Sequence, residues 1–171
     1  MLTPTVRRTF APRGRTPIHY SWDRRDRISA ISAITISPNR RRLGLYFHLL
    51  PDNENVHAND VVCFLGMLWR QLRRPLTVIW DGSRVHDRAK AVQGYLRTHR
   101  RIVTEKLPAY APDLNPDEGV WGHTKYARLC NFAPIDTNHL RKQLTEQLDE
   151  LRHCSDLLAA FVKHTKLPIR L

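Results

Sequence analysis

The segment Leu76-Thr77-Val78-Ile79-Trp80 sets the tightest limit on what this chain can fold into. Arg74-Pro75 stops whatever precedes it and Asp81-Gly82 ends it, so it is predicted to be a short strand. A nearly unbroken apolar strand is expected to be buried on both faces of a sheet, which requires helices on either side. Upstream, Val61, Leu65, Leu68 and Leu72 recur at helical spacing, with Asn59 placed as the N-cap. Downstream, a helix over Asp87 to His99 leads to a strand over about Arg101 to Leu107.

Before this unit, Ile28 to Ile36 and Leu43 to Leu50 form two apolar runs separated by Ser37-Pro38-Asn39-Arg40, the pattern of a hairpin. After it, Asn115-Pro116 supplies an N-cap and an N1 proline for a helix running toward Leu129. Helices follow over Thr137 to Arg152, with Leu140, Leu144, Leu148 and Leu151 on one stripe, and over Asp156 to His164. A hairpin followed by alternating helices and strands implies an α/β fold with a mixed sheet flanked by helices. Ligands in such sheets gather at the carboxyl ends of the parallel strands, where Asp81 sits.

Lys and Arg number 28 against 16 Asp and Glu, a net charge of +12, so the surface attracts polyanions and nucleic acid is the expected partner. No run approaches the length of a membrane span, and the opening lacks the apolar core of a secretory signal. The reading is therefore a cytoplasmic protein with no membrane partner. Cys63, Cys130 and Cys154 are odd in number and widely spaced, which points to buried free thiols. His123, Cys130, His153 and Cys154 lack the close C-x-x-C spacing usual in zinc sites.

An isolated strand-end Asp followed by Gly is most often a turn residue, and Glu118 has a bland role at N3 of a helix capped by Asn115. The surrounding text changes this reading: Val78-Ile79-Trp80-Asp81-Gly82 with His86, then Leu107-Pro108-Ala109-Tyr110-Ala111-Pro112-Asp113-Leu114-Asn115-Pro116-Asp117-Glu118 with Trp121 and Lys125. These blocks resemble the DDE transposases of bacterial insertion sequences related to the mariner superfamily. There a hydrophobic strand ends in Asp, with a nearby His, and the third acid lies in a Leu-Pro-x-Tyr-Ser-Pro-x-Leu-Asn-Pro-x-Glu-x-x-Trp segment. From Asp81 to Glu118 is 118 − 81 = 37 positions, which suits the short second spacing of that group. Arg7-Arg8-Thr9-Phe10-Ala11-Pro12-Arg13-Gly14 resembles the segment that follows the family's first acid. Gly82 stands where the family has Asn, Ala111 where it has Ser, and Asp117 where it has an apolar residue.

The resemblance implies an RNase H-like domain over residues 1–134 and a C-terminal helical extension over 135–171. It implies that Asp81 and Glu118 are two of three catalytic carboxylates, holding Mg²⁺ or Mn²⁺ in a two-metal site that severs and rejoins DNA. Two such ions, roughly 3.5–4 Å apart, activate the attacking oxygen and stabilise the leaving one. His86, Lys125 and Asn115 are second-tier contacts to DNA or the site. Trp121 reads as core, while Arg40-Arg41-Arg42, Arg73-Arg74 and Arg100-Arg101 would meet DNA phosphates without reading sequence.

The family's first acid lies on a strand just upstream of the text matching Leu2-Thr3-Pro4. The chain is therefore expected to lack that acid and the central strand carrying it, with the site weakened; Asp23 and Asp26 are poor substitutes. An open central slot leaves unpaired backbone groups on two neighbours, each costing about 1–3 kcal/mol if buried. Thr5 to Phe10 fits the slot poorly because of its two arginines. Two functions follow as expectations. One is a transposase catalytic fragment acting at transposon ends and target DNA, nucleoid-associated when bound. The other is an inactive remnant that binds DNA or intact transposase without cutting. An RNase H-like nuclease or resolvase unrelated to transposition shares the metal chemistry but lacks the Pro-Asp-Leu-Asn-Pro block.

Overall fold

The computed structural model describes residues 7–8, 10–18, 26–39, 42–87, 89–167 and 169. Two strands, β1 (Ile28–Ile36) and β2 (Leu43–Asp52), form the expected antiparallel hairpin, with Ile34 opposite Leu45 and a register shift between Ile28 and Ala30. Helix α1 (Ala58–Leu72) follows, then β3 (Leu76–Trp80), the short helix α2 (Arg84–Asp87), α3 (Lys90–Thr98) and β4 (Ile102–Lys106). β3 and β4 are parallel, with Trp80 opposite Lys106. A 3-10 turn (Pro112–Leu114) leads to α4 (Asp117–His123), which runs into a wide turn (Thr124–Arg128) closed by the Leu129 amide donating to the Thr124 carbonyl. Helices α5 (Thr137–Arg152) and α6 (Ser155–His164) complete the chain.

The hairpin divides the apolar interior in two. Leu43, Leu45, Phe47 and Leu49 of β2, with Ile28 and Ile34 of β1, face Val120 of α4 and Leu144, Leu148, Leu151 and Leu158 of α5 and α6. The spacing of two along β2 puts these side chains on one face. Ile31 points the other way, to Val61 and Leu65 of α1, Val92 of α3, and Val78 and Trp80 of β3. The Arg141 guanidinium donates to the Leu50 carbonyl at 2.6 Å and to Asp52 at 2.7 Å. Arg152 donates to the Leu45 carbonyl at 3.0 Å while lying over the Phe47 ring. Both arginines thereby cover carbonyls of β2 that would otherwise invite another strand.

The strands do not form one sheet: β1–β2 and β3–β4 are separate pairs, and no strand lies between β1 and β3 among the described residues. The two pairs share the layer beneath them, because Ile31 and Val78 both pack on α1. The expected burial of β3 on both faces does not hold. Thr77 and Ile79 are exposed, while Leu76, Val78 and Trp80 are partly buried. α1 and α3 cover only one side, and the apolar run could not reveal the lack of cover on the other.

Other expectations also change. α1 is capped by His57, whose amide donates to Asp60 at 2.8 Å, rather than by Asn59. The helix expected over Asp87 to His99 is α3, which begins only at Lys90 after Ala89, and the short α2 before it was not expected. Cys63 is exposed and Cys130 and Cys154 are partly buried, so the three free thiols are not core residues. Leu140 of the α5 stripe is only partly buried, whereas Leu144, Leu148 and Leu151 are core. In the segment Thr5 to Phe10, Thr5, Val6 and Thr9 fall outside the described residues. Its Arg7 exchanges hydrogen bonds with the Asn131 side chain, the Arg7 amide donating at 2.7 Å and its carbonyl accepting at 2.9 Å. No helix of the described residues is long and apolar enough to cross a membrane.

Candidate active site at the ends of β3 and β4

Asp81 directly follows β3, and its turn with Ser83 is made by its own side chain: the Ser83 amide donates to Asp81 Oδ1 at 3.0 Å. The same oxygen lies 2.8 Å from His86 Nδ1. His86 stands on α2 and stacks on Trp80, with ring centres 5.3 Å apart and planes 15° from parallel. Trp80 and His86 thus fix the orientation of a carboxylate that remains 60 % exposed. Bonded to the carboxylate through Nδ1, His86 carries its donor there and leaves Nε2 available. The Lys106 side chain crosses the backbone beside Asp81, since a Cβ on Gly82 would lie 2.7 Å from Lys106 Cε. Gly82 leaves room for this lysine, which sequence reasoning missed; its signal was the parallel register opposite Trp80.

The other acid singled out in the sequence, Glu118, follows β4 after one loop. The Leu107 amide donates to the Trp80 carbonyl at 2.8 Å, which ties the start of the loop to the β3 end. At the far end, Asn115 Oδ1 accepts from the Asp117 amide at 3.1 Å and its carbonyl from the Glu118 amide at 3.2 Å. Asn115 therefore caps α4, which places Glu118 in its first turn, exposed to solvent. Trp121 is partly buried against the core with its Nε1 bonded to Asp117, and Lys125 is exposed in the wide turn after α4.

Asp117, which stands where the family has an apolar residue, is folded inward. Its Oδ2 accepts from Ser32 Oγ of β1 at 2.5 Å and from Trp121 Nε1 at 3.0 Å. Its Oδ1 is closed off from solvent with no partner among the described residues. Burial pushes the carboxyl above the usual carboxylate range, the two hydrogen bonds oppose this, and the Glu118 charge adds to it. The consequence is a clamp between β1 and the start of α4. Gly119 beside it allows α4 to rest on Phe161 of α6. Desolvation, helped by Arg128, lowers the His123 pKa.

Asp26 accepts from Asn53 Nδ2 at 3.1 Å at the open end of the hairpin, and Asp23 lies outside the described residues. Among the described residues no group of three or more His, Cys, Asp or Glu side chains is placed to hold a metal ion, the His123, Cys130, His153 and Cys154 set included. The acids are thus presented at two element ends, one oriented by His86 and the other by the capped helix.

The DDE superfamily endonuclease family matches residues 1–141, most of the chain. The chain belongs to that family. Its fold is RNase H-like, as comparison with solved structures shows. The Mos1 transposase paired-end complex with left transposon end superposes with a TM-score of 0.62, at 19% identity, over 94% of this chain and 47% of that one. The Mos1 strand transfer complex gives 0.56 at 19% identity, over 92% of this chain and 50% of that one. The endonuclease domain thus spans about half the length of the transposase chains it matches. No curated protein matches it in sequence.

Proposed function

We propose that the chain is the catalytic domain of a DNA transposase, cutting and joining DNA at transposon ends, with Asp81 and Glu118 as two of its metal-holding carboxylates. Asp81 carries the reading: it sits at the carboxyl end of a parallel strand, oriented by His86 and Ser83 yet open to solvent. Such strand ends are where ligands gather in open α/β sheets. Exposed carboxylates suit Mg²⁺ or Mn²⁺, hard ions that take one or two such ligands and keep waters and phosphate oxygens besides. Bound there, the ion would supply charge stabilisation at a phosphodiester and a more acidic water.

The protein's own contributions are distinct. His86 holds Asp81 in one orientation through Nδ1, and Trp80 keeps the imidazole in plane. Lys106, Lys125 and the net charge of +12 draw the DNA backbone without reading its bases. Asn115 keeps the first turn of α4 intact, and the Asp117 clamp sets where that turn meets β1. Residues 1–134 form the catalytic unit in this reading, and residues 135–171 a helical extension that closes its core. The Leu107 to Glu118 block supports an insertion-sequence origin. The Mos1 paired-end complex with left transposon end supports transposon-end DNA as substrate; target DNA and self-association of the chain belong to the same proposal. The separate sheet pairs are the two sides of one RNase H-like sheet whose central strand, with the first acid, is not among the described residues.

A second reading starts from the finding that, among the described residues, no group of three or more His, Cys, Asp or Glu side chains is placed to hold a metal ion. In it the chain binds DNA or intact transposase without cutting. Nicking of supercoiled plasmid in Mg²⁺ or Mn²⁺ separates the two. A catalytic domain nicks, and Asp81→Asn and Glu118→Gln each lower the rate at least about a hundredfold, as loss of a charge-stabilising group does. Salt-sensitive binding with no nicking by the wild type would leave only the second reading.

A further inference from the structure

Four non-glycine residues among those described hold positive φ: Asn53, Arg73, Tyr110 and Asn131. Asparagine tolerates this region, and Arg73 ends α1 in the left-handed position common after helices. Tyr110 has neither explanation. It sits in a tight turn at φ 57, its side chain 103% exposed, and its ring and hydroxyl contact no partner among the described residues.

The strain is not a sign of slack, because the loop is fastened on both sides of the ring. Leu107 is buried and tied to the Trp80 carbonyl, and Pro108 and Pro112 restrict the backbone. The Leu114 amide donates to the Ala111 carbonyl at 3.1 Å and the Asn115 amide to Pro112 at 2.9 Å. Lys166 grips Asp113: its backbone amide donates to the Asp113 carbonyl at 3.4 Å and its ammonium to the carboxylate at 3.1 Å. A large aromatic ring is thus held in water by a fixed loop, in a backbone conformation that Gly or Asn would adopt at lower cost. The loop joins the strand end beside Asp81 to the helix carrying Glu118.

Resting on the DNA reading above, we propose that Tyr110 is a stacking platform for an unpaired base of the DNA strand engaged at this site. Bases within a duplex are covered on both faces by their neighbours, so only a frayed, flipped or single-stranded base offers a free face to the ring. Stacking needs no hydrogen bond and no particular base, which fits a ring that projects alone. The chain's positive charge holds the phosphates, and the ring adds the part of the affinity that salt does not screen.

The test compares a blunt duplex with the same duplex bearing a three-nucleotide overhang that contains 2-aminopurine, using the full chain. The wild type binds the overhang duplex about tenfold more tightly and quenches its fluorescence. Tyr110→Phe keeps both effects. Tyr110→Ala and Tyr110→Asn abolish the preference and the quenching, with blunt-duplex affinity unchanged. Asn suits the left-handed backbone, so Tyr110→Asn melts no lower than wild type. A preference that survives in Tyr110→Asn, or none in the wild type, overturns the assignment. Binding to neither duplex overturns the DNA reading itself, a pattern distinct from loss of the overhang preference alone.

Discussion

Gly119 lies one residue beyond Glu118, and a single methyl group there tests whether α4 is set by its contact with α6. A Cβ on Gly119 would come within 2.8 Å of Phe161 Cδ1, 2.9 Å of Cγ and 3.1 Å of Cβ. Non-bonded carbons rest about 3.5–4.0 Å apart, so helix and ring must separate by about 0.7 Å. Two of the three atoms stand close to the α6 backbone, and a change of ring rotamer cannot move Phe161 Cβ. Overpacking of this kind costs about 1–3 kcal/mol. Replacing Gly by Ala inside a helix returns about 1 kcal/mol, so the net destabilisation is about 0–2 kcal/mol. In Phe161→Ala the obstructing ring is gone, and the same Gly119→Ala change becomes stabilising by up to about 1 kcal/mol. Urea unfolding of the two single variants and the double variant gives the coupling. A Gly119→Ala chain at least as stable as wild type, with effects additive to those of Phe161→Ala, refutes the packing argument.

The Leu76 amide donates to the Arg101 carbonyl, so the Thr77 and Ile79 amides of β3 point away from β4; hydrogen exchange should be fast at Thr77 and Ile79 and slow at Val78 and Trp80. Uniform protection across β3 would show that another strand occupies its free edge. The Asp117 carboxyl has a raised pKa, so its stabilising contribution is complete below 3.8 and is lost as pH rises through the folded-state value. In chelator-containing buffer the wild type should therefore lose stability relative to Asp117→Asn as pH rises above 3.8, and parallel profiles would contradict this. Asp52, lowered by the Thr137 and Arg141 hydrogen bonds, and Asp113, lowered by Lys166, act oppositely: their contributions are present above 3.8 and are lost below it.

Much of the frame was legible because it depends on local chemistry. The two apolar runs and Ser37-Pro38-Asn39 specify the hairpin, and Asn115-Pro116 specifies the start of α4 through the hydrogen bond that the cap makes. What escaped depends on distant neighbours. The apolar text of β3 carries no record of what covers each face, and the polar Thr77 was its only hint. The inward turn of Asp117 escaped because its partner Ser32 is 85 residues away, although Trp121 at i+4 could have suggested it. Tyr110 belonged to a motif that was read for its acid, and a sequence gives no sign that a backbone is strained. The Asp81–His86 contact was within reach, since α2 brings residues five apart together.

The claim on which the rest stands is that Asp81 and Glu118 together hold one divalent cation, and Mn²⁺ binding followed by electron paramagnetic resonance measures this without any DNA or catalysis. We expect the wild-type chain to bind Mn²⁺ and Asp81→Asn and Glu118→Gln each to weaken it at least about tenfold, as loss of an oxygen ligand should, while Asp26→Asn leaves it unchanged. Binding that is indifferent to both Asp81→Asn and Glu118→Gln, or that depends on one of them alone, would contradict a shared site.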